Sequence, residues 1–558
     1  MYSNKGNVNI LTALLVKHGV RHAVVCPGSR NAAIVHNLNE CPHITCYPVT
    51  DERSAAFYAL GMTDALNEPV VVCVTSGTAL LNVTPAVAEA YYRHRPLIVI
   101  SADRPAAWIG QIDGQTLPQP DALGRFVTKA VTLPEIPSTD DNDAEVSHWH
   151  CNRLVNEALL EAYSGECSPV HINVPITEPL FDFSVEQLPD ERIIRRYHPS
   201  VEAYCFPSDF LDDLKHAQRP LVVVGQMPKG TLSDDAIQSL LKNIAVLSEP
   251  LSPINGVTHF DEVLASGVAI DLPDFILYVG DTLVSKRLKA FLRKAKDAKV
   301  WRANATGTVE DTFQNLQGVL VGNSETILQS LSQEMDTISL TGSSYHHQWL
   351  TASDEVAKRV SASTPSFSQM LAVKCFEERL SQSSESTFVH YANSMAVRLA
   401  VLYARHYVYC NRGVNGIEGS LSTAAGFSSV VRDQVFCVIG DLSFFYDQNA
   451  LWNTNLKGNL RILLLNNGGG AIFRTLRGLE QSAAQWPLVA AAHHTTAEGI
   501  CQQCDIYYQR ATNEVELQQG LDLLFNTTYT RPMVLEVMTD AEEDKQNLIH
   551  GGRAHREG

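Results

Sequence analysis

The residues best placed to do chemistry follow strand-like apolar runs. Val435-Phe-Cys-Val-Ile-Gly-Asp441 sets a carboxylate directly after one such run. In parallel α/β sheets this is the carboxyl edge, where ligands bind. A second run, Leu460 to Leu465, ends in Asn466-Asn467-Gly-Gly-Gly470. The interval between Asp441 and Asn467 is long enough for a helix and a return strand, so the two strand ends can lie side by side. An Asp oxygen, an Asn amide oxygen and a backbone carbonyl from the glycine run make a hard oxygen set. Such a set suits Mg²⁺, or Mn²⁺, holding a diphosphate. Either half alone reads as a turn or a flexible loop; together, at this spacing, they favour a metal site.

A group of cations also sits in or near candidate loops: Arg30, Arg104, Lys286, Arg287, Arg398 and Arg412. Guanidinium forks bind carboxylates through paired, directional hydrogen bonds. Taken singly, each reads as a surface ion pair. Taken together they point to substrates with several carboxylates, with Lys286 and Arg287 the weakest members because Lys286 to Lys296 also reads as a solvated basic helix. This placement contrasts with the whole chain, which has 43 Lys and Arg against 61 Asp and Glu and a net charge of −18. So acidic a chain is a poor general binder of nucleic acid or anionic membranes.

The elements that must carry these residues recur along the chain. Ala23-Val-Val-Cys leads into Pro27-Gly-Ser-Arg30, Val70 to Val74 into Thr75-Ser-Gly-Thr78, and Leu97 to Ile100 into Ser101-Ala-Asp-Arg104. The pattern returns at Leu221 to Val224 and Phe275 to Val279, then at Val435 to Ile439 and Leu460 to Leu465. Wholly apolar strands of this kind suit parallel sheets covered on both faces. With 558 residues, about three domains are expected. We expect three doubly wound α/β domains, at 1–185, 205–340 and 365–550. Two stretches read as connections: Phe181 to Pro207, with its Arg192 to Arg196 charge cluster, and the Ser/Thr-rich Thr337 to Pro365. The tail after Asn547 reads as mobile.

No sequence repeat is found; the repetition is architectural. The 12 cysteines are scattered, and the Cys501 to Cys504 pair lacks a second pair at zinc-ribbon spacing. His346-His347 and His493-His494 read as surface or loop histidines. No apolar run approaches the ~20 residues of a membrane helix, and the N-terminus lacks a signal-peptide core. The expectation is a cytoplasmic protein. Walker A, HExxH, GxSxG and GxGxxG motifs are absent from the sequence, which weakens several hydrolase and dinucleotide readings.

Gly440-Asp441 followed by Asn466-Asn467 resembles the motif of thiamine diphosphate enzymes. Leu442 stands where most of that superfamily has Gly. This departure resembles one branch, the 2-succinyl-5-enolpyruvyl-6-hydroxy-3-cyclohexene-1-carboxylate synthases of menaquinone biosynthesis. Cys26 to Arg30, Asp51-Glu-Arg53, Thr75 to Ala79, Ala102-Asp-Arg-Pro105, Lys286-Arg287, Asn411-Arg-Gly413 and Gly416-Ile-Glu-Gly419 match the same branch in family order.

The resemblance implies a transferase that decarboxylates 2-oxoglutarate and adds the resulting succinyl carbanion to isochorismate. It implies thiamine diphosphate and Mg²⁺ as cofactors. It also implies a homodimer with sites at the subunit interface, or a pair of such dimers. Glu52 is implied as the carboxyl that switches the cofactor on, by stabilising the imino tautomer of its aminopyrimidine in a buried setting; the alternative role, capping the following helix, falls better to Asp51. Asp441, Asn467 and Gly469 are implied as metal ligands. Asn393, Ser394, Ile417, Gly440, Leu442 and Ser443 are implied to contact the cofactor, with Ile417 the apolar prop beneath it. Ser29, Arg30, Arg104, Gln115, Lys286, Arg287, Ser394, Arg398 and Arg412 are implied to face substrate, with Phe473 and Leu476 as an apolar wall. Two other readings share parts of this pattern. Another thiamine diphosphate decarboxylase would need no multi-Arg site, and a non-catalytic cofactor-binding protein would need no Glu52.

Overall fold

The computed structural model describes residues 1–137, 142–163, 167–197, 202–338 and 343–553. Its strands form three sheets, all parallel. The first contains β1 (His22–Val25), β2 (Thr45–Pro48), β3 (Val70–Val74), β4 (Leu97–Asp103), β5 (Lys129–Thr132) and β6 (Val170–Pro175), in the order β2-β1-β3-β4-β6-β5. The second contains β7 (Pro220–Val224), β8 (Ala245–Ser248), β9 (Phe275–Val279), β10 (Lys299–Asn304) and β11 (Leu316–Val321), in the order β11-β10-β9-β7-β8. The third contains β12 (Thr387–Tyr391), β13 (Gln434–Gly440), β14 (Leu460–Asn466), β15 (Tyr507–Ala511) and β16 (Met533–Met538), in the order β12-β13-β14-β16-β15.

Alternate residues of one strand enter different cores, as a sheet covered on both faces requires. Val72 and Val99 join one cluster while Val71, Ile98 and Ile100 join another; Leu221 and Val223 likewise part from Val222 and Val224. The first and third sheets share a strand order. A parallel bridge between His390 and Tyr409 stands beside β12 where β2 stands beside β1. The architectural repetition expected from the sequence is therefore a repeated winding.

The first and third units meet through two helices, Glu52–Leu66 and Ser420–Val430. Both carry a glycine at the crossing, because a Cβ on Gly61 would lie 1.9 Å from the Thr423 carbonyl oxygen and one on Gly426 1.9 Å from that of Tyr58. Their apolar residues belong to one continuous core with the third sheet.

Two sequence expectations change. The stretch Thr337 to Pro365 is not a plain connection, since Ser343–Ala362 is a 20-residue helix. Its Tyr345, Trp349, Val356 and Val360 recur at helical spacing and are buried beside the second sheet, whereas the Ser/Thr content that resembled a linker colours its other faces. Residues 339–342, within that stretch, lie outside the described residues. The chain after Asn547 continues as the helix Ala541–Arg553. The Phe181 to Pro207 stretch holds no helix or named strand over its described residues, and Arg192, Arg195 and Arg196 are exposed. Lys286 to Lys296 is helical only over Lys286–Leu292. Among the described residues no helix is long and apolar enough to cross a membrane.

Candidate active site

β13 and β14 pair in parallel with Gly440 opposite Leu465, which brings the next residues of both strands to one edge. Asp441 follows as the first residue of the helix Asp441–Tyr446 and is 4% exposed. Its Oδ2 accepts the backbone N–H groups of Asn467 and Gly469 at 3.1 and 3.0 Å, and its Oδ1 that of Leu442 at 2.7 Å. The two asparagines divide the work. Asn466 is structural, donating to Glu536 at 2.7 Å and accepting from Gly468 N at 3.1 Å. Asn467 donates to Asp544 at 2.7 Å, and its Oδ1 is buried with no partner among the described residues. Gly469 has φ 153, and its carbonyl accepts from Ala471 N at 2.9 Å, leaving a second lone pair.

These groups line a cavity of about 150 Å³ with a largely apolar remainder. Of the residues implied for cofactor and metal, Asn393, Ser394, Ile417, Gly440, Leu442, Ser443, Asp441, Asn467 and Gly469 all line it, and Phe473 joins them. Ser394 has φ 68, an uncommon value for a residue with a side chain, at the start of the helix Met395–Tyr403. The first residues of that helix, Met395 and Ala396, line the cavity, and a helix N-terminus is a favourable end for an anion. The Ser443 hydroxyl donates to the Ile417 carbonyl and fixes the loop that carries this side chain.

A divalent cation holding a diphosphate requires hard oxygen donors on one side and an anion-binding end on the other. A buried amide oxygen with no partner among the described residues, a nearby carboxylate and a glycine carbonyl with spare capacity fit a hard cation; the start of the Met395–Tyr403 helix fits the diphosphate.

A second group gathers at the carboxyl edge of the first sheet. Glu52 opens the helix Glu52–Leu66, and Asp51 caps it by accepting from Arg53 N and Ser54 N. Glu52 is half-buried and charges the surroundings of Cys26, whose thiol is pushed up first by burial and then by Glu52. Within this chain Glu52 is thus half-buried, short of the buried setting expected for it. Ser29 is exposed at the end of β1, whereas Arg30 is 7% exposed, donating to the Ile176 carbonyl at 3.0 Å and pairing with Glu178 at 3.3 Å. Arg104 pairs with Asp113 at 3.1 Å. Gln115, at φ 60, donates to the Ser76 carbonyl at 3.1 Å.

A third group surrounds Arg398. Burial holds the Arg398 guanidinium below its usual range, and the neighbouring Arg412 adds to this. Arg412 donates to Asn393 at 3.1 Å, and Arg287 pairs with Asp261. Lys286 is exposed. Buried Glu249 receives Val284 N and Ser285 N at 2.7 and 2.8 Å, which fixes the turn before Lys286.

None of Glu52, Ser29, Arg30, Arg104, Gln115, Lys286, Arg287, Arg398, Arg412 or Leu476 lines the Asp441 cavity. One chain therefore presents separate groups, the second of them at the edge of a different sheet from Asp441.

Three neighbours escaped the sequence reading. Glu89 receives Gly413 N and Val414 N at 2.8 and 2.7 Å, so the first unit shapes the Arg412 loop. His493, read as a surface or loop histidine, has Nε2 3.4 Å from Asp441 Oδ2. Asp544 lies near the C-terminus and lines the cavity. None had a local signal, since each acts through a contact distant in sequence.

The family model "Thiamine pyrophosphate enzyme, N-terminal TPP binding domain" matches residues 8–123. The chain is 42% identical to the 2-succinyl-5-enolpyruvyl-6-hydroxy-3-cyclohexene-1-carboxylate synthase of Bacteroides thetaiotaomicron, over 98% of both proteins. It is 42% identical to the synthase of the same name from Phocaeicola vulgatus, over 98% of this chain and 97% of the relative. Against that of Desulfotalea psychrophila it is 35% identical, over 96% and 98%.

Proposed function

Because this chain belongs to the 2-succinyl-5-enolpyruvyl-6-hydroxy-3-cyclohexene-1-carboxylate synthase family of thiamine diphosphate enzymes, we propose that it makes that product and CO₂ from 2-oxoglutarate and isochorismate, in menaquinone biosynthesis. The observation that carries the reading is the buried, unpartnered Oδ1 of Asn467 beside Asp441 at two adjacent strand ends.

Asp441, Asn467 Oδ1 and the Gly469 carbonyl hold Mg²⁺, or Mn²⁺, and with it the diphosphate. Asn393, Ser394, Gly440, Leu442 and Ser443 shape the cofactor's cavity, and Ile417 props it. Thiamine diphosphate, when bound, supplies the electron sink for decarboxylation and carbon–carbon bond formation. Glu52 handles the proton at the aminopyrimidine that readies the cofactor. Ser29, Arg30, Arg104, Gln115, Lys286, Arg287, Ser394, Arg398 and Arg412 orient the substrate carboxylates, and Phe473 with Leu476 walls off water on the other side.

Glu52 and Asp441 stand on different sheets, and Glu52 is only half-buried. This supports a homodimer, alone or paired into a tetramer, in which the Glu52 side of one copy covers the Asp441 side of the other. The domains are 1–185, 205–340 and 365–550, with the Ser343–Ala362 helix packed against the second of them, and the protein works in the cytoplasm.

Incubation with 2-oxoglutarate and isochorismate should yield the product, identified by mass and ultraviolet spectrum. Turnover of pyruvate alone would refute the substrate assignment. Glu52→Gln should lower kcat by about 10²–10⁴-fold while leaving Mg²⁺-dependent cofactor binding intact; unaltered turnover would refute the role of Glu52.

A further inference from the structure

The first turn of the helix Ala541–Arg553 reaches the cavity through Asp544, and Leu548 lines the wall one turn on. Asp544 is 4% exposed. Its Oδ1 accepts from Gln369 N at 2.7 Å. Its Oδ2 accepts from Thr539 Oγ1 at 2.8 Å and from Asn467 Nδ2 at 2.7 Å. Further contacts latch the helix down: Glu542 pairs with Arg474 at 3.0 Å, and Asn547 donates to the Ser366 hydroxyl at 2.8 Å.

A primary amide has one donor end and one acceptor end of nearly equal size, and packing alone distinguishes them poorly. A carboxylate offers acceptors only, so Asp544 can take only the donor end of Asn467. The acceptor end is then turned away from it, where Oδ1 is buried and has no partner among the described residues. We propose that Asp544 is a positioning residue that orients the Asn467 amide, so that oxygen rather than NH₂ faces the divalent cation. The inference rests on the reading of Asp441, Asn467 and Gly469 as the groups that hold that cation. It makes docking of the C-terminal helix and cation binding parts of one linked equilibrium.

The test is a Mg²⁺ titration of the full chain at saturating thiamine diphosphate, followed by calorimetry and tryptophan fluorescence, without turnover. Asp544→Asn is nearly isosteric, but its own NH₂ lets Asn467 swing its oxygen back and present NH₂ to the cation. Half-saturating Mg²⁺ should rise about 10–100-fold. Thr539→Val removes the other donor on the same oxygen and loosens the helix without changing which end of Asn467 is taken. Its half-saturation should stay within about 3-fold of wild type. Wild-type Mg²⁺ dependence in Asp544→Asn overturns the inference. Equal losses in both variants also overturn it, since Asp544 would then merely anchor the helix. Melting of the ligand-free proteins separates misfolding from lost affinity. If Asp544→Asn does not fold, Asp544→Ala is titrated in its place, and failure of both to fold assigns Asp544 a structural role and overturns the inference. Asp441→Asn checks the underlying reading. If it leaves Mg²⁺ dependence unchanged the metal site itself is wrong, whereas if it abolishes the dependence and Asp544→Asn does not weaken it, only the present inference fails.

Discussion

Asp447 lies wholly buried beneath the Ser420–Val430 helix, receiving Ser422 N and the Ser422 hydroxyl, both at 2.7 Å. Burial pushes its carboxyl up to about 7, although the Ser422 donors pull it back. An acid raised in this way binds more protons folded than unfolded, so its contribution to stability falls as pH rises. The contribution is complete below about 4, the ordinary Asp value, and is lost as pH passes through about 7. Wild type should therefore lose melting temperature between about pH 4 and pH 7, and Asp447→Asn should lose less over the same range. Parallel pH slopes in thermal scans would remove Asp447 as the cause. At this scale the sequence was legible where a residue follows a strand, as with Asp441 and Asn467. Asp544 was not, because it acts on a residue 77 positions away and its own segment resembles an ordinary charged tail.

The Glu52–Leu66 and Ser420–Val430 helices pack backbone against backbone, with Ser54 and Ser422 hydroxyls 2.8 Å apart at one end. Gly426→Ala would drive a Cβ to 1.9 Å from the Tyr58 carbonyl oxygen, which no side-chain movement relieves. It should destabilise the chain by about 3 kcal/mol or more, read as a lower denaturation midpoint. An unchanged midpoint would mean that the crossing is looser than described. Because Glu52 opens one of these helices, the same variant should also disturb turnover. The apolar strands were readable because burial on both faces erases alternation and leaves only β-branched and apolar residues. The Ser343–Ala362 helix was missed because its buried stripe, Tyr345, Trp349, Val356 and Val360, is thin against a Ser/Thr-rich background.

At the scale of the molecule, the two requirements of the proposed chemistry sit on different sheets of one chain. If two copies complete each other's sites, Glu52→Gln and Asp441→Asn should each be inactive alone. After mixing, unfolding and refolding together, activity should return to about a quarter of wild type, since half of randomly paired dimers are mixed and each has one intact site. Persistent inactivity in co-refolded dimers would place both groups in a site made by a single chain. The sequence by itself determined the three parallel α/β units and the loops that bear chemistry, because strand burial and strand-end residues are local properties written in composition and order. Only the tertiary structure decided which of those loops share a cavity, which acid holds the Asn467 amide and that Glu52 stays half-open. Those depend on contacts between distant segments, which the order of residues along the chain does not encode locally.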